Sequence, residues 1–153
     1  DYDARAEIMW AGSIAHNGLL GTGRIGDWAS HMIEHELSAI NDVAHGAGLA
    51  IIFPAWMLYV YKQDVSRFAQ FAVRVWNVEM DFFNPEKTAL AGIEATKAFY
   101  RSIGLPVSLS EIGITPAHYE RIATNCRRTE GDTVGRFMPL TGDDIINILK
   151  IAQ

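Results

Sequence analysis

The sequence predicts an all-α fold, a single multi-helix domain, and three observations carry that expectation. Apolar residues recur at a helical period through most of the chain. No run of β-branched residues alternates over more than four positions, as a strand would require. There are no repeats, linkers or low-complexity stretches, so the helical segments read as one domain. The 153 residues, about half of them apolar, suffice for one sizeable core.

Taken in order, the first helix is expected from about Ala4 to Leu20, with Ile8, Met9, Ala11, Ile14, Ala15 and Leu19 near a 3.6-residue period. Gly21-Thr-Gly23 breaks it, and Asp27 is the expected N-cap of a second helix, Trp28 to about Ile40. Asn41-Asp42 interrupts the pattern before an apolar helix from Val43 to Lys62, which Pro54 should kink by removing a backbone donor. A fourth helix spans about Val65 to Trp76. A fifth runs from Pro85 to Ile103, capped by Asn84 and closed by Gly104 ahead of Leu105-Pro106. Short helices follow at Pro116 to Asn125 and at Asp143 to Ala152, the last opened by Thr141 with Asp144 three residues on.

Composition excludes several classes. The net charge is −5, and the only basic cluster, Arg127-Arg128, is followed at once by Glu130 and Asp132, so no nucleic-acid footprint is present. The most apolar run, Ala47 to Tyr61, covers about fifteen residues, short of the ~20 that cross a bilayer. It reads as a buried core helix. The acidic start, Asp1-Tyr-Asp3, lacks the features of a signal peptide. One cysteine, Cys126, rules out an internal disulfide framework, fits a cytoplasmic protein and reads as a packed structural thiol.

Gly21-Thr-Gly23-Arg-Ile-Gly26 matches the G-x-G-x-x-G spacing of a dinucleotide loop. That loop works only between a strand and a helix, where bare backbone meets a pyrophosphate. Here the preceding segment is helical by pattern, so an inter-helix turn is expected and no residue is assigned to cofactor binding.

Three of the five histidines, His31, His35 and His45, fall within fifteen residues. His31 and His35 share a helix face one turn apart, and His45 lies in the first turn of the next helix beside the small Gly46 and Gly48, where other groups can approach closely. A helix hairpin of this kind can aim two imidazoles at one point, a donor set suited to iron(II), zinc or nickel.

The stretch from His31 through His45-Gly46 to Pro54, with the pattern His-x3-His-x9-His-Gly, resembles the signature of the iron-containing alcohol dehydrogenase family, in particular its butanol dehydrogenase-like branch. Trp10 to Gly18 and Pro139 to Leu149 are similar to segments of the same family, so the resemblance covers most of the chain. It implies the C-terminal helical, metal-binding domain of the dehydroquinate synthase-like fold. It further implies that His31 and His45 ligate Fe(2+). His35 would face the substrate and nicotinamide as a candidate for proton transfer. Two more ligands, an aspartate and a histidine, and the domain that binds NAD(P) would lie upstream of Asp1. The implied activity is hydride transfer between NAD(P) and a primary alcohol or aldehyde, with this chain inactive by itself. That reading leaves Glu34 as a solvated helix residue, and Asp27, His16 and His118 outside the site.

Two other readings compete. His31-Met-Ile-Glu34-His35 also fits the H-x-x-E-H motif of inverted zinc peptidases, with Glu34 as general base and Glu111 or Glu120 as third ligand. A non-enzymatic helical module would instead present an apolar stripe. The aromatics Trp28, Trp56, Trp76, Phe82 and Phe83 are expected in the core or against a further domain, and any left exposed would favour a homodimer.

Overall fold

The computed structural model describes residues 1–126 and 132–153. Among the described residues the α-helices are α1 Tyr2–His16, α2 Ala29–Asn41, α3 His45–Val60, α4 Val65–Trp76, α5 Pro85–Ser102, α6 Tyr119–Cys126 and α7 Gly142–Ile151. Short 3-10 turns occupy Leu19–Gly21, Tyr61–Gln63, Leu109–Ile112 and Pro116–His118. The all-helical expectation holds, and the only β pairing among the described residues is an isolated antiparallel bridge between Val134 and Leu140. The Arg127-Arg128 pair and Glu130 lie outside the described residues.

The composition of α3 decides its position. Gly48, Ala50, Ile51, Ile52, Ala55, Met57 and Val60 leave it no polar face, so it must be enclosed on several sides. Helices α2, α5 and α7 pack around it, while α6 joins α2 to α7 and α4 lies along α5. The shared core runs through Ile33 and Leu37 of α2, Ile93 of α5, Ile122 of α6, and Ile145, Ile148 and Leu149 of α7. No helix is long and apolar enough to cross a membrane among the described residues. Cys126 is buried as expected, its thiol 3.4 Å from the carbonyl oxygen of Met32.

Several boundaries differ from the expectation for identifiable reasons. Helix α1 stops at His16, because Gly18 adopts φ 85° and reverses the chain ahead of Leu20. Its apolar stripe does not reach the core: no α1 residue is buried, and Ile8, Met9 and Trp10 are exposed. Asp42 closes α2 at φ 49°, which leaves Val43 and Ala44 in the turn and starts α3 at His45. Pro54 is accommodated inside α3 without ending it. Thr141 and Asp144 form the reciprocal cap of α7, and Asp64 and Asn84 accept from the first turns of α4 and α5. Gly21, Gly23 and Gly26 follow a helix and lie in a turn, so the dinucleotide spacing is coincidental.

Asp27 acts differently from a simple cap. Trp28 occupies the N-cap position of α2, and the Asp27 carboxylate spans two segments. Its Oδ1 accepts from the Ala29 amide at 2.8 Å, and its Oδ2 accepts from Arg136 and Phe137 amides at 2.6 and 2.8 Å. Gly135, at φ 89°, makes this approach possible, since a Cβ there would lie 2.9 Å from Oδ2. One carboxylate therefore pins the Val134–Leu140 loop to the start of the histidine-bearing helix.

Two stability outcomes follow from these contacts. Asp27→Ala removes three charge-assisted bonds and is expected to lower the unfolding free energy by about 1–3 kcal/mol in urea titrations. Gly92→Ala would place a Cβ 2.4 Å from the Ala72 Cβ and 2.7 Å from its Cα, where α4 crosses α5. It should cost about 1–3 kcal/mol despite the better helix propensity of alanine. Wild-type midpoints for either variant would contradict the corresponding contact.

Candidate metal centre

The α2–α3 hairpin brings the signature histidines together. Because α2 repeats every 3.6 residues, His31, Glu34, His35 and Ser38 fall along neighbouring lines of one side. The tight turn through Asp42 then returns the chain so that His45, the first residue of α3, faces them. The result is a pair of imidazole nitrogens, His31 Nδ1 and His45 Nε2, only 3.2 Å apart. His35 lies on the other side of His45, with ring centroids 5.1 Å apart, and is exposed. Trp28 and Phe53 flank His31 edge-on, at centroid distances of 4.8 and 5.8 Å. Burial lowers the pKa of His31, and the neighbouring His45 and His35 imidazoles push it the same way. A neutral imidazole is the form whose lone pair can bind a cation.

Glu34 corrects the expectation of a solvated helix residue, because its side chain is completely buried. Its Oε1 accepts from the Ser38 hydroxyl at 2.5 Å, and its Oε2 is in hydrogen-bond contact with His45 Nδ1. The space comes from Gly48, where a Cβ would stand 2.4 Å from Oε1 and 2.6 Å from Cγ. Sequence reasoning treated Gly48 as room for an incoming group, and a carboxylate from α2 takes that room. The legible signal was Glu34-x3-Ser38 on one helix face opposite a glycine.

Two overlapping donor sets result. His31 and His45 offer the close nitrogen pair, while Glu34, His35 and His45 have ligand-type atoms within 4.8 Å of one another. Two nitrogens bound at about 2.0–2.1 Å to one ion, at or somewhat below the tetrahedral angle, lie about 3.0–3.4 Å apart. The 3.2 Å separation, a hydrogen-bond contact between the two rings, falls within that range.

The remaining candidates lie elsewhere. Asp27 is committed to backbone amides. His118 accepts from the Thr115 amide at 3.0 Å in its own capping box. Glu111 accepts from the Val107 amide and Ser108 hydroxyl. His16 is exposed at the end of α1. The inverted zinc-peptidase reading loses its base, because a completely buried Glu34 engaged by Ser38 and His45 has no face toward a substrate water. Neither Glu111 nor Glu120 belongs to the donor cluster found among the described residues. Of the five aromatics expected in the core or at a domain contact, Trp28, Phe82 and Phe83 are exposed, and Trp56 and Trp76 are half-buried.

The family model for the Fe-containing alcohol dehydrogenase family, C-terminal, matches residues 1–153. NADH-dependent butanol dehydrogenase A of Clostridium acetobutylicum is 40% identical over 151 residues, 98% of this chain and 39% of that protein. NADPH-dependent aldehyde reductase YqhD of Escherichia coli is 41% identical over 116 residues, 74% of this chain and 29% of that protein. The crystal structure of NADH-dependent butanol dehydrogenase A from Thermotoga maritima superposes with a TM-score of 0.90 at 43% identity, covering 99% of this chain and 39% of that one. The chain thus spans about two fifths of the length of the butanol dehydrogenases it matches. With the all-helical fold and the histidine hairpin in place, the chain belongs to the iron-containing alcohol dehydrogenase family and spans its C-terminal domain.

Proposed function

We propose that this chain is the metal-holding part of an enzyme that transfers hydride between NAD(P) and a small alcohol or aldehyde. The observation that carries the reading is the 3.2 Å approach of His31 to His45 across the α2–α3 hairpin. Relatives named as NADH-dependent butanol dehydrogenases and an NADPH-dependent aldehyde reductase support the substrate and cofactor classes. His31 and His45 are the ligands this chain contributes, to iron in keeping with the family, while imidazole also accepts zinc or nickel. A bound divalent ion supplies Lewis acidity to the alcohol oxygen. The further ligands and the nucleotide-binding domain come from outside these 153 residues.

Within that frame His31 and His45 orient and hold. His35, exposed and one turn from His31, is the group placed to exchange a proton with the substrate hydroxyl. Trp28 and Phe53 meet the His31 ring edge-on and restrict the space into which it can turn.

Anaerobic calorimetry with iron(II) and zinc tests the ligand assignment. Both ions should bind weakly, with affinity falling at least ~10-fold in His31→Ala and in His45→Ala and unchanged in His118→Ala. Unaltered binding in His45→Ala would refute the assignment. The chain alone should give no NAD(P)-linked alcohol oxidation, and measurable turnover would contradict the division of labour. In a full-length enzyme carrying this domain, His35→Asn should lower kcat by about 10²-fold or more with metal content unchanged. Loss of the metal in that variant would make His35 a ligand instead.

A further inference from the structure

Glu34 is the one completely buried charged side chain among the described residues, and neither hydride transfer nor metal ligation by histidine accounts for it. We propose that Glu34 is a positioning residue: its carboxylate takes the Nδ1 proton of His45 and so holds that ring with a bare Nε2 turned toward His31. The inference rests on the metal-binding reading above and adds to it the element that makes His45 a competent ligand.

A neutral histidine carries one ring proton, on either nitrogen, and only the other nitrogen has a lone pair to give. An isolated imidazole interconverts between the two forms and rotates about its side-chain bonds. An acceptor on the Nδ1 side settles both matters at once, fixing the proton on Nδ1 and the ring plane. Glu34 Oε2 is that acceptor, and the opposite nitrogen, Nε2, is the one 3.2 Å from His31. His45 gains from such a partner, because its side chain is 45% exposed and so is not locked by burial.

The carboxylate is itself held from the far side. Ser38, one turn along α2, donates to Oε1 at 2.5 Å, and its oxygen lies 3.0 Å from the Val43 carbonyl in the turn. Burying a carboxylate is unfavourable unless its lone pairs are met, and here both oxygens are engaged. Gly48 completes the device, since any side chain there would occupy the Glu34 position. Glu34, Ser38, Gly48 and His45 therefore form one unit linking α2, the turn and α3. Direct ligation by Glu34 would require Oε2 to leave His45, so a metal bound by His31 and His45 leaves the carboxylate behind the ring.

The amide variant separates positioning from ligation. In Glu34→Gln the amide oxygen still accepts from Nδ1, and the amide nitrogen donates to Ser38 Oγ, whose own hydrogen turns to the Val43 carbonyl. A carboxylate ligand has no such substitute.

Long-range proton–nitrogen NMR of the metal-free chain at pH 8 reads the His45 tautomer without any activity or metal. The wild type should show a protonated Nδ1 and a bare Nε2. Glu34→Gln should keep that state, whereas Glu34→Ala and Gly48→Ala should lose it. Zinc affinity, measured on the same four proteins, should stay within about 3-fold in Glu34→Gln and fall about 10–100-fold in the other two. An Nε2-protonated His45 in the wild type overturns the proposal whether or not any variant folds. An unchanged tautomer in a folded Glu34→Ala overturns it as well, as does a Glu34→Gln loss as large as that of Glu34→Ala. If the tautomer follows this pattern while zinc fails to bind the wild type, the positioning inference stands and the metal-binding function falls.

Discussion

The contact between a buried carboxylate on α2 and the first histidine of α3 is the constraint around which this domain is arranged. Glu34 reaches His45 only because α2 and α3 lie close together, and they lie close because Gly48 presents no side chain to the gap. The apolar circumference of α3 supplies the force that holds the pair together. Its isoleucines are enclosed by α2, α5 and α7, and that burial can offset the cost of enclosing a charge nearby. The polar site is thus built at the N-terminal end of the helix whose remaining length fills the hydrophobic core.

This arrangement divides the hairpin by exposure. Glu34 lies inside with both oxygens engaged, while His45 and His35 are exposed. Asp27 repeats the device at the other end of the site, with one carboxylate joining the Val134–Leu140 loop to the start of α2 close to His31. Two acidic side chains engaged by hydrogen bonds therefore bracket the helix turn that carries the histidines.

Much of the fold was legible because local signals agreed with tertiary ones. Asn84 before Pro85, Thr141 before Asp144 and the unbroken apolar run of α3 each specify an element with little help from elsewhere. The histidine hairpin was legible through its spacing and its family resemblance. Features that depend on distant chain segments were not. The stripe on α1 has the right period, yet periodicity cannot say whether a partner surface exists, and in this chain it packs on no core. Asp27 looked like a cap because its loop partners are more than a hundred residues away. Glu34 looked solvated because a charged residue on a helix usually is, and only the pairing of Ser38 with Gly48 across two helices makes its burial tolerable.

The central claim is that His31 and His45 form the metal-binding pair, with Glu34 behind His45. Anomalous diffraction from crystals of the chain soaked in zinc tests it most directly. The account predicts one peak, bonded to a nitrogen of each of these histidines at about 2.0–2.1 Å, with the Glu34 carboxylate still on His45 Nδ1. A peak bonded to Glu34 and His35, with His31 turned away, would contradict it.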